Sequence, residues 1–326
     1  MHLRVFSAVF FGVTSVVIVF CNKLVLTNFK FPSFLVLGIG QMVATILVLF
    51  IARLIGIVHF PSLSTDTPKK IFPLPLIFVL NLVSGLGGTQ RLSLPMFTVL
   101  RRLSILMTMI LEFVILGVKA SYAVQVSVAL MILGAFIAAI FDLSFDAYGY
   151  SMIFLNDICT ALYAVVMKKK LDGKDQLGKY GLLFYNSLFM LIPGILIAHY
   201  TGDIDKALNY ENWSNVVFLS QFGLSCVCGF VLNYSVLLCT HYNSALTTTC
   251  VGPIKNIVVT YGGMFSSGDY KFTWTNFLGI NISVLASIVY TYVTFRGKQT
   301  KETVLRTKAR ISPNIDSGKP TGSGPK

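Results

Sequence analysis

Long apolar runs separated by short polar connections set the pattern of this 326-residue chain. A helix that crosses a bilayer needs about 20 mostly apolar residues. Ten stretches meet that need: 3–26, 33–55, 72–90, 94–116, 122–141, 149–168, 180–200, 215–239, 243–266 and 273–295. They predict an all-α membrane protein with ten transmembrane helices. The third stretch carries Pro73, Pro75 and the run Ser84-Gly85-Leu86-Gly87-Gly88. Membrane helices tolerate such breakers where neighbouring helices satisfy the freed backbone groups. The first stretch is longer than the ~7–15 apolar residues of a signal peptide, and Asn22 and Lys23 stand where a small-residue cleavage site belongs. It therefore reads as a retained span. The longest connection, 56–71, is too short for a folded soluble domain. The expected organisation is one transmembrane domain over 1–296 and a polar tail over 297–326, rich in Gly, Pro and Lys and expected to be disordered.

Composition supports the same class. The chain is 55% hydrophobic and 12% charged, with a mean hydropathy of +0.74. Soluble domains carry about 25% charged residues, so this chain lacks the polar shell a globular protein of its length would need. The net charge of +13 would suggest nucleic-acid binding in a soluble protein. Here its distribution reads as topology instead. With ten spans both termini share one side. Eighteen of the 26 basic residues fall there, among them Arg53, Lys69, Lys70, Lys168, Lys169, Lys170 and those of the tail, against four in the opposite loops. By the positive-inside rule both termini are cytosolic. The six cysteines lie in or beside apolar runs without metal-ligand spacing, and they read as buried thiols.

Ten spans divide into five plus five, about 1–141 and 149–295, which begin on opposite sides of the membrane as inverted repeats do. Laying one half on the other sets Gly117 on Gly268 and Arg101–Ser104 on Gly252–Lys255.

Ionisable residues inside spans are costly and mark function or pairing. They are Lys23, Arg101, Arg102, Glu112, Asp157 and Lys255. Cations outnumber acids, and an anionic substrate such as a diphosphate would account for the excess. Lys255 is the first candidate. It lies mid-span in Gly252-Pro253-Ile254-Lys255-Asn256, where Gly252 and Pro253 loosen the helix beside it; the alternative is a structural pair with Asp157 or Glu112. Arg101 and Arg102 are adjacent, so one of the two is expected at the ligand and the other is free to snorkel. Lys23 lies near a span end and suits snorkelling. Phe184-Tyr185-Asn186-Ser187 offers a ring and a carboxamide, which together suit a nucleobase. Asn156-Asp157 and Asn233-Tyr234 add polar groups in spans six and eight, with helix packing as the default role. Asp203-Ile204-Asp205 matches the acid–x–acid pattern of metal-dependent glycosyltransferases, but its loop is short and a solvated acidic loop is the better reading. The sequon Asn212-Trp213-Ser214 lies close to the next span and is expected to be unused. No catalytic motif, resident metal site or cofactor motif is legible, so an enzyme is not expected.

Several stretches together resemble the nucleotide-sugar transporters of the drug/metabolite transporter superfamily, and most closely the animal carriers of UDP-glucuronic acid and UDP-N-acetylhexosamines. They are Leu92–Arg102 (LSLPMFTVLRR), Gly134–Ala139 (GAFIAA), Leu177–Ser187 (LGKYGLLFYNS), Tyr242–Lys255 (YNSALTTTCVGPIK) and Phe277–Ile282 (FLGINI). The resemblance implies ten helices in two inverted repeats and alternating access. It also implies exchange of cytosolic UDP-sugar for lumenal UMP across the Golgi or endoplasmic reticulum membrane. In GDP-sugar relatives a Phe-Tyr-Asn-Asn motif serves the base and a Gly-Ala-Leu-Asn-Lys motif serves the phosphates and sugar. Here these read Phe184-Tyr185-Asn186-Ser187 and Gly252-Pro253-Ile254-Lys255-Asn256. The substrate-binding set implied is Tyr185, Asn186, Ser187, Gly252, Lys255 and Asn256, helped by Arg101 or Arg102. Lys23, Glu112, Asn156, Asp157 and Tyr234 are secondary candidates. The partners implied are UDP-sugar, UMP and the lipid bilayer, with a possible homodimer and no nucleic acid. The alternatives are a membrane-embedded glycosyltransferase using Asp203 and Asp205, and a phosphate-ester exchanger of the same superfamily.

Overall fold

The computed structural model describes residues 2–89, 100–139, 147–173 and 177–251, together with scattered helical residues between 274 and 293. Every regular element among them is helical. Helix α1, His2–Lys23, runs on through a π-helical turn, Leu24–Asn28. It is followed by α2 (Phe34–Leu54), the short α3 (Thr67–Ile71), α4 (Leu74–Thr89), α5 (Leu103–Leu116), α6 (Tyr122–Ala139), α7 (Ala147–Asp172), α8 (Gly178–Tyr200), the short α9 (Asp203–Leu208) and α10 (Val216–Tyr242). A 3₁₀ turn, Glu211–Ser214, leads into α10, and residues 245–251 begin a further helix.

Five stretches are long and apolar enough to cross a membrane: Leu3–Asn28, Phe34–Leu54, Ala147–Asp172, Gly178–Tyr200 and Val216–Tyr242. Leu74–Gly85, Leu103–Leu116 and Tyr122–Gly134 are shorter apolar helices. The protein is therefore an all-helical, multi-pass membrane protein. Most of the ninth and tenth expected spans, and the whole tail, lie outside the described residues.

Local signals explain where the helices start. The side chain of Ser33 accepts a hydrogen bond from Val36 N at 3.1 Å and caps α2. Asn215 caps α10 in the same way, accepting from Val217 N at 2.9 Å. Pro75 sits in the first turn of α4, where no intrahelical donor is lost. Pro193 lies inside α8.

Packing between apolar helices in lipid gains little from the hydrophobic effect, so close approach and buried hydrogen bonds carry it. Helix α4 lies against α7, α1 and α2 against α10, α2 against α8, and α5 against α7. Gly85 of α4 is part of the reason. A Cβ on Gly85 would stand 2.9 Å from Asn156 Nδ2. Asn156 Nδ2 donates to Asn81 O at 2.6 Å, and Asn81 Nδ2 donates back to Asn156 O at 3.1 Å and to Thr160 Oγ1 at 2.7 Å. Helices α4 and α7 are thus braced through paired asparagines.

A second brace joins α1, α2 and α10. Gln41 Nε2 donates to Asn22 Oδ1 at 3.1 Å, and Ser225 Oγ donates to the same oxygen at 2.7 Å. Gly229 makes room for it, since a Cβ there would meet Gln41 Cγ at 2.5 Å. Gly229→Ala is therefore expected to push Gln41 out of the network and destabilise the protein by about 1–3 kcal/mol. A thermal-unfolding scan of the purified protein reads this as a lowered Tm, and an unchanged Tm would show that Gln41 swings clear without loss.

The two ends of the bundle are closed by different chemistry. At one end Phe31 meets Tyr210, Trp213 and Phe222 edge-on at 5.3, 5.8 and 5.5 Å, and the Tyr210 hydroxyl donates to Phe29 O. At the other, Lys168 Nζ donates to His241 O at 3.0 Å and pairs with Asp172 at 2.9 Å, tying the end of α7 to the end of α10. Among the cysteines Cys21, Cys159, Cys226, Cys239 and Cys250 are buried, Cys228 is half-buried, and all are free thiols.

Candidate functional site

Three helices turn the same kind of face toward one space. Thr160, Tyr163, Ala164 and Met167 of α7 line it, as do Leu183, Asn186, Ser187 and Met190 of α8 and Asn233, Val236, Leu237 and Thr240 of α10. Each set has the spacing i, i+3, i+4, i+7 of a single helix face. Met42, Phe78, Asn81, Arg101 and Thr248 complete the described lining of a cavity of about 360 Å³. That size is within the range of small-molecule sites. Its wall is mostly apolar, with hydroxyls and carboxamides from five helices and one guanidinium.

Asn186 is buried, and its Nδ2 donates to the Tyr163 hydroxyl at 2.6 Å. Its Oδ1 is buried with no hydrogen-bond partner among the described residues. A buried amide oxygen without a donor carries a desolvation penalty of about 1–3 kcal/mol, so the pair presents an acceptor and, beside it, a hydroxyl proton still to be given. Ser187 is buried on the same wall.

Arg101 and Arg102 form the turn just ahead of α5, and only Arg101 is in the cavity lining. Cations at a helix N-terminus oppose the helix dipole. The Arg101 charge is thus placed to serve an anion, and the positive end of α5 adds to it.

The remaining candidates divide clearly. Tyr185 is buried on a different side of α8 from Asn186, one residue away. Its ring meets Phe60 at 6.1 Å and Phe184 at 5.2 Å, and its hydroxyl donates to Pro61 O at 2.7 Å. It holds the 55–66 loop against α8 and is not in the cavity lining. Tyr234 stacks on Tyr180 at 6.0 Å. Glu112 is buried, and its Oε1 accepts from Leu246 N at 3.4 Å at the start of the helix that begins at residue 245. Asn156 belongs to the α4–α7 brace. Lys23 is exposed at the end of α1. Asp157 is fully buried and lines a second pocket, of about 280 Å³. Gly252, Lys255 and Asn256 lie outside the described residues. Asp203 of the acid–x–acid motif accepts from Thr201 at 2.9 Å and pairs with Lys206 at 3.5 Å on an exposed helix. No group of three metal-ligating side chains is present among the described residues.

Tyr163, Asn81, Thr160, Thr240 and Thr248 were not among the residues expected from sequence. The signal that finds Thr160, Tyr163 and Thr240 is the i, i+3, i+4, i+7 face that recurs in α7, α8 and α10; Asn81 and Thr248 carry no such signal.

The profile of the Triose-phosphate Transporter family matches residues 1–291. The Caenorhabditis elegans UDP-sugar transporter sqv-7 is 66% identical over 303 residues, 92% of either chain. The Drosophila melanogaster UDP-sugar transporter UST74c is 56% identical over 92% of this chain and 80% of its own length. The Homo sapiens nucleotide sugar transporter SLC35D2 is 51% identical over 89% of this chain and 86% of its own length. A solved crystal structure superposes with a TM-score of 0.53 at 12% identity, over 89% of this chain and 98% of that one; the likeness is one of fold.

Proposed function

This chain belongs to the Triose-phosphate Transporter family, a family of transporters and not of enzymes, and we propose from that premise that it carries UDP-sugars from the cytosol into the Golgi or endoplasmic reticulum lumen in exchange for UMP. The UDP-sugar transport named for the worm and fly relatives supports the substrate class. UDP-glucuronic acid, UDP-N-acetylgalactosamine and UDP-N-acetylglucosamine are the substrates, with UDP-galactose a further one to be tested. Ten helices in two inverted five-helix halves, with both termini cytosolic, would supply alternating access; the charge asymmetry of the loops supports that orientation.

The observation that carries the reading is the Asn186–Tyr163 pair in the cavity wall. With Nδ2 given to Tyr163, Asn186 Oδ1 accepts and the Tyr163 hydroxyl donates. Uracil offers the matching edge, an N3–H donor beside a carbonyl acceptor. Cytosine offers the reverse, an acceptor beside an amino donor. The phosphates fall to Arg101 together with Lys255, and Ser187, Asn81, Asn233 and the threonines are neutral partners for the sugar hydroxyls.

Exchange follows from the same charges. An empty site holds cations without their anion, and turning it through the bilayer costs more than turning a loaded one. Purified protein in proteoliposomes should therefore take up UDP-N-acetylglucosamine severalfold faster from vesicles preloaded with UMP. Equal uptake into empty vesicles would rule out obligatory exchange. The family's description gives the phosphate-ester exchanger a concrete form, and competition settles it: UMP should block uptake, and inorganic phosphate or a triose phosphate should not.

A further inference from the structure

The substrate cavity does not include Asp157. This side chain is 0% exposed, and neither carboxylate oxygen has a hydrogen-bond partner among the described residues. It lines the second pocket with Leu100, Leu103, Tyr150, Ser151 and Phe154, whose exposed members Ser151 and Phe154 stand at its mouth. A carboxylate stripped of water and given no donor is not a stable end state in a mostly apolar pocket. It needs either a cation close by or a proton.

Leu100 and Leu103, on either side of Arg101 in the chain, line the Asp157 pocket, so the turn that carries the Arg101 cation borders it. Arg101 also lines the substrate cavity, so one guanidinium stands between two anions: the fixed carboxylate on α7 and any phosphate that enters. Asp157 lies one turn before Thr160, the first α7 residue of the cavity. Among the described residues the other elements packed against α7 bring the following charges. Helix α4 brings no titratable side chain. Helix α5 brings Arg102 at its start and Glu112 farther on, where Glu112 accepts from Leu246 N. Helices α8 and α10 meet the far part of α7, where the titratable groups include Cys159, Tyr163, Lys168, Asp172, Lys179, Tyr180, Tyr234 and His241. Tyr150 shares the Asp157 pocket.

We propose that Asp157 is a proton-binding site linked to the substrate site, a carboxylate in the empty carrier that takes one proton from water when a diphosphate engages Arg101. This rests on the UDP-sugar reading above. No covalent bond to the substrate forms; the proton moves from solvent through the smaller pocket onto a carboxylate oxygen. Anion and proton then favour each other. The phosphate draws the guanidinium away from Asp157, and the neutralised acid leaves the guanidinium to the phosphate.

The sign is fixed by that linkage. The loaded state binds more protons than the empty one, so affinity rises as pH falls, by up to about tenfold per pH unit for one proton. UDP-N-acetylglucosamine is the probe, because its diphosphate is esterified at both ends and does not itself titrate near neutrality. Its binding to the purified full chain in detergent is measured from about pH 5.5 to about pH 8.5. A pH-indicator dye in weak buffer reads proton uptake on binding in parallel. The wild type should bind more tightly at acid pH and take up as much as one proton per carrier. Asp157→Asn should bind with no pH dependence and no uptake, at the acid-limit affinity of the wild type. A pH-independent wild type without proton uptake overturns the proposal while leaving transport intact, and needs no variant to fold. A folded Asp157→Asn that keeps the wild-type slope overturns it as well. Failure of the wild type to bind the probe at any pH overturns the transport reading and this proposal with it.

Discussion

Arg101→Ala lowers UDP-sugar uptake by about 10- to 100-fold, with expression and folding unchanged. Charge-assisted hydrogen bonds are worth about 1.5–3 kcal/mol, and a phosphate held by a guanidinium loses that much when the side chain is cut back. Arg101 precedes α5 and contributes to the cavity wall, not to a helix interior, so its loss should leave the bundle standing. Arg101→Lys keeps the charge and gives up the planar fork; it should retain roughly a tenth of the wild-type uptake. Arg102, its neighbour, is half-buried and outside the described cavity lining, and Arg102→Gln, which removes no phosphate contact, should change uptake by less than about threefold. Uptake into UMP-loaded proteoliposomes measures all three. Equal losses at both positions would mean that the two charges act through the general field of the bundle and that neither touches a phosphate.

Much of the helical pattern is legible in the sequence. Apolar stretches of bilayer length gave the helices because a span has no other way to satisfy its backbone. Arg101, Asn186 and Ser187 stood out because charge and carboxamide are expensive in lipid. Facing was harder to read. Tyr185 and Asn186 are neighbours, and one residue is about 100° around a helix; the motif alone does not say which of the two turns inward. Asn186 meets the cavity, and Tyr185 anchors the 55–66 loop through Pro61. Threonines and asparagines were illegible for a related reason. Thr160 and Asn81 line the cavity while bonding to each other across helices, so the packing role and the lining role belong to the same atoms. Glu112 reads from sequence as a counter-charge for Lys255; its carboxylate accepts from the backbone of Leu246, and Lys255 lies outside the described residues. The acid–x–acid motif failed for lack of surroundings, since Asp203 finds its partners in Thr201 and Lys206.

The contrast between Tyr185 and Asn186 gives the second large effect. Asn186→Leu fills the same space and removes both the acceptor that faces the cavity and the donor that holds Tyr163. A bound uracil then keeps a buried N3–H without a partner, at a cost of about 1–3 kcal/mol. Uptake should fall about 10- to 100-fold, through KM more than through expression, and UMP should lose most of its power to compete. Tyr185→Phe keeps the ring among Phe60 and Phe184 and removes one hydrogen bond to Pro61 O. It should lower stability by about 1 kcal/mol and leave KM for UDP-N-acetylglucosamine where it was. The base edge provides the sharper control. With the wild type UMP should compete and CMP should not, because the Asn186–Tyr163 pair offers an acceptor and a donor in the order that uracil requires. If Tyr185→Phe raised KM as far as Asn186→Leu, the loop that Tyr185 anchors would be part of the substrate site, and the base would be read from the motif as a whole and not from the cavity face of α8.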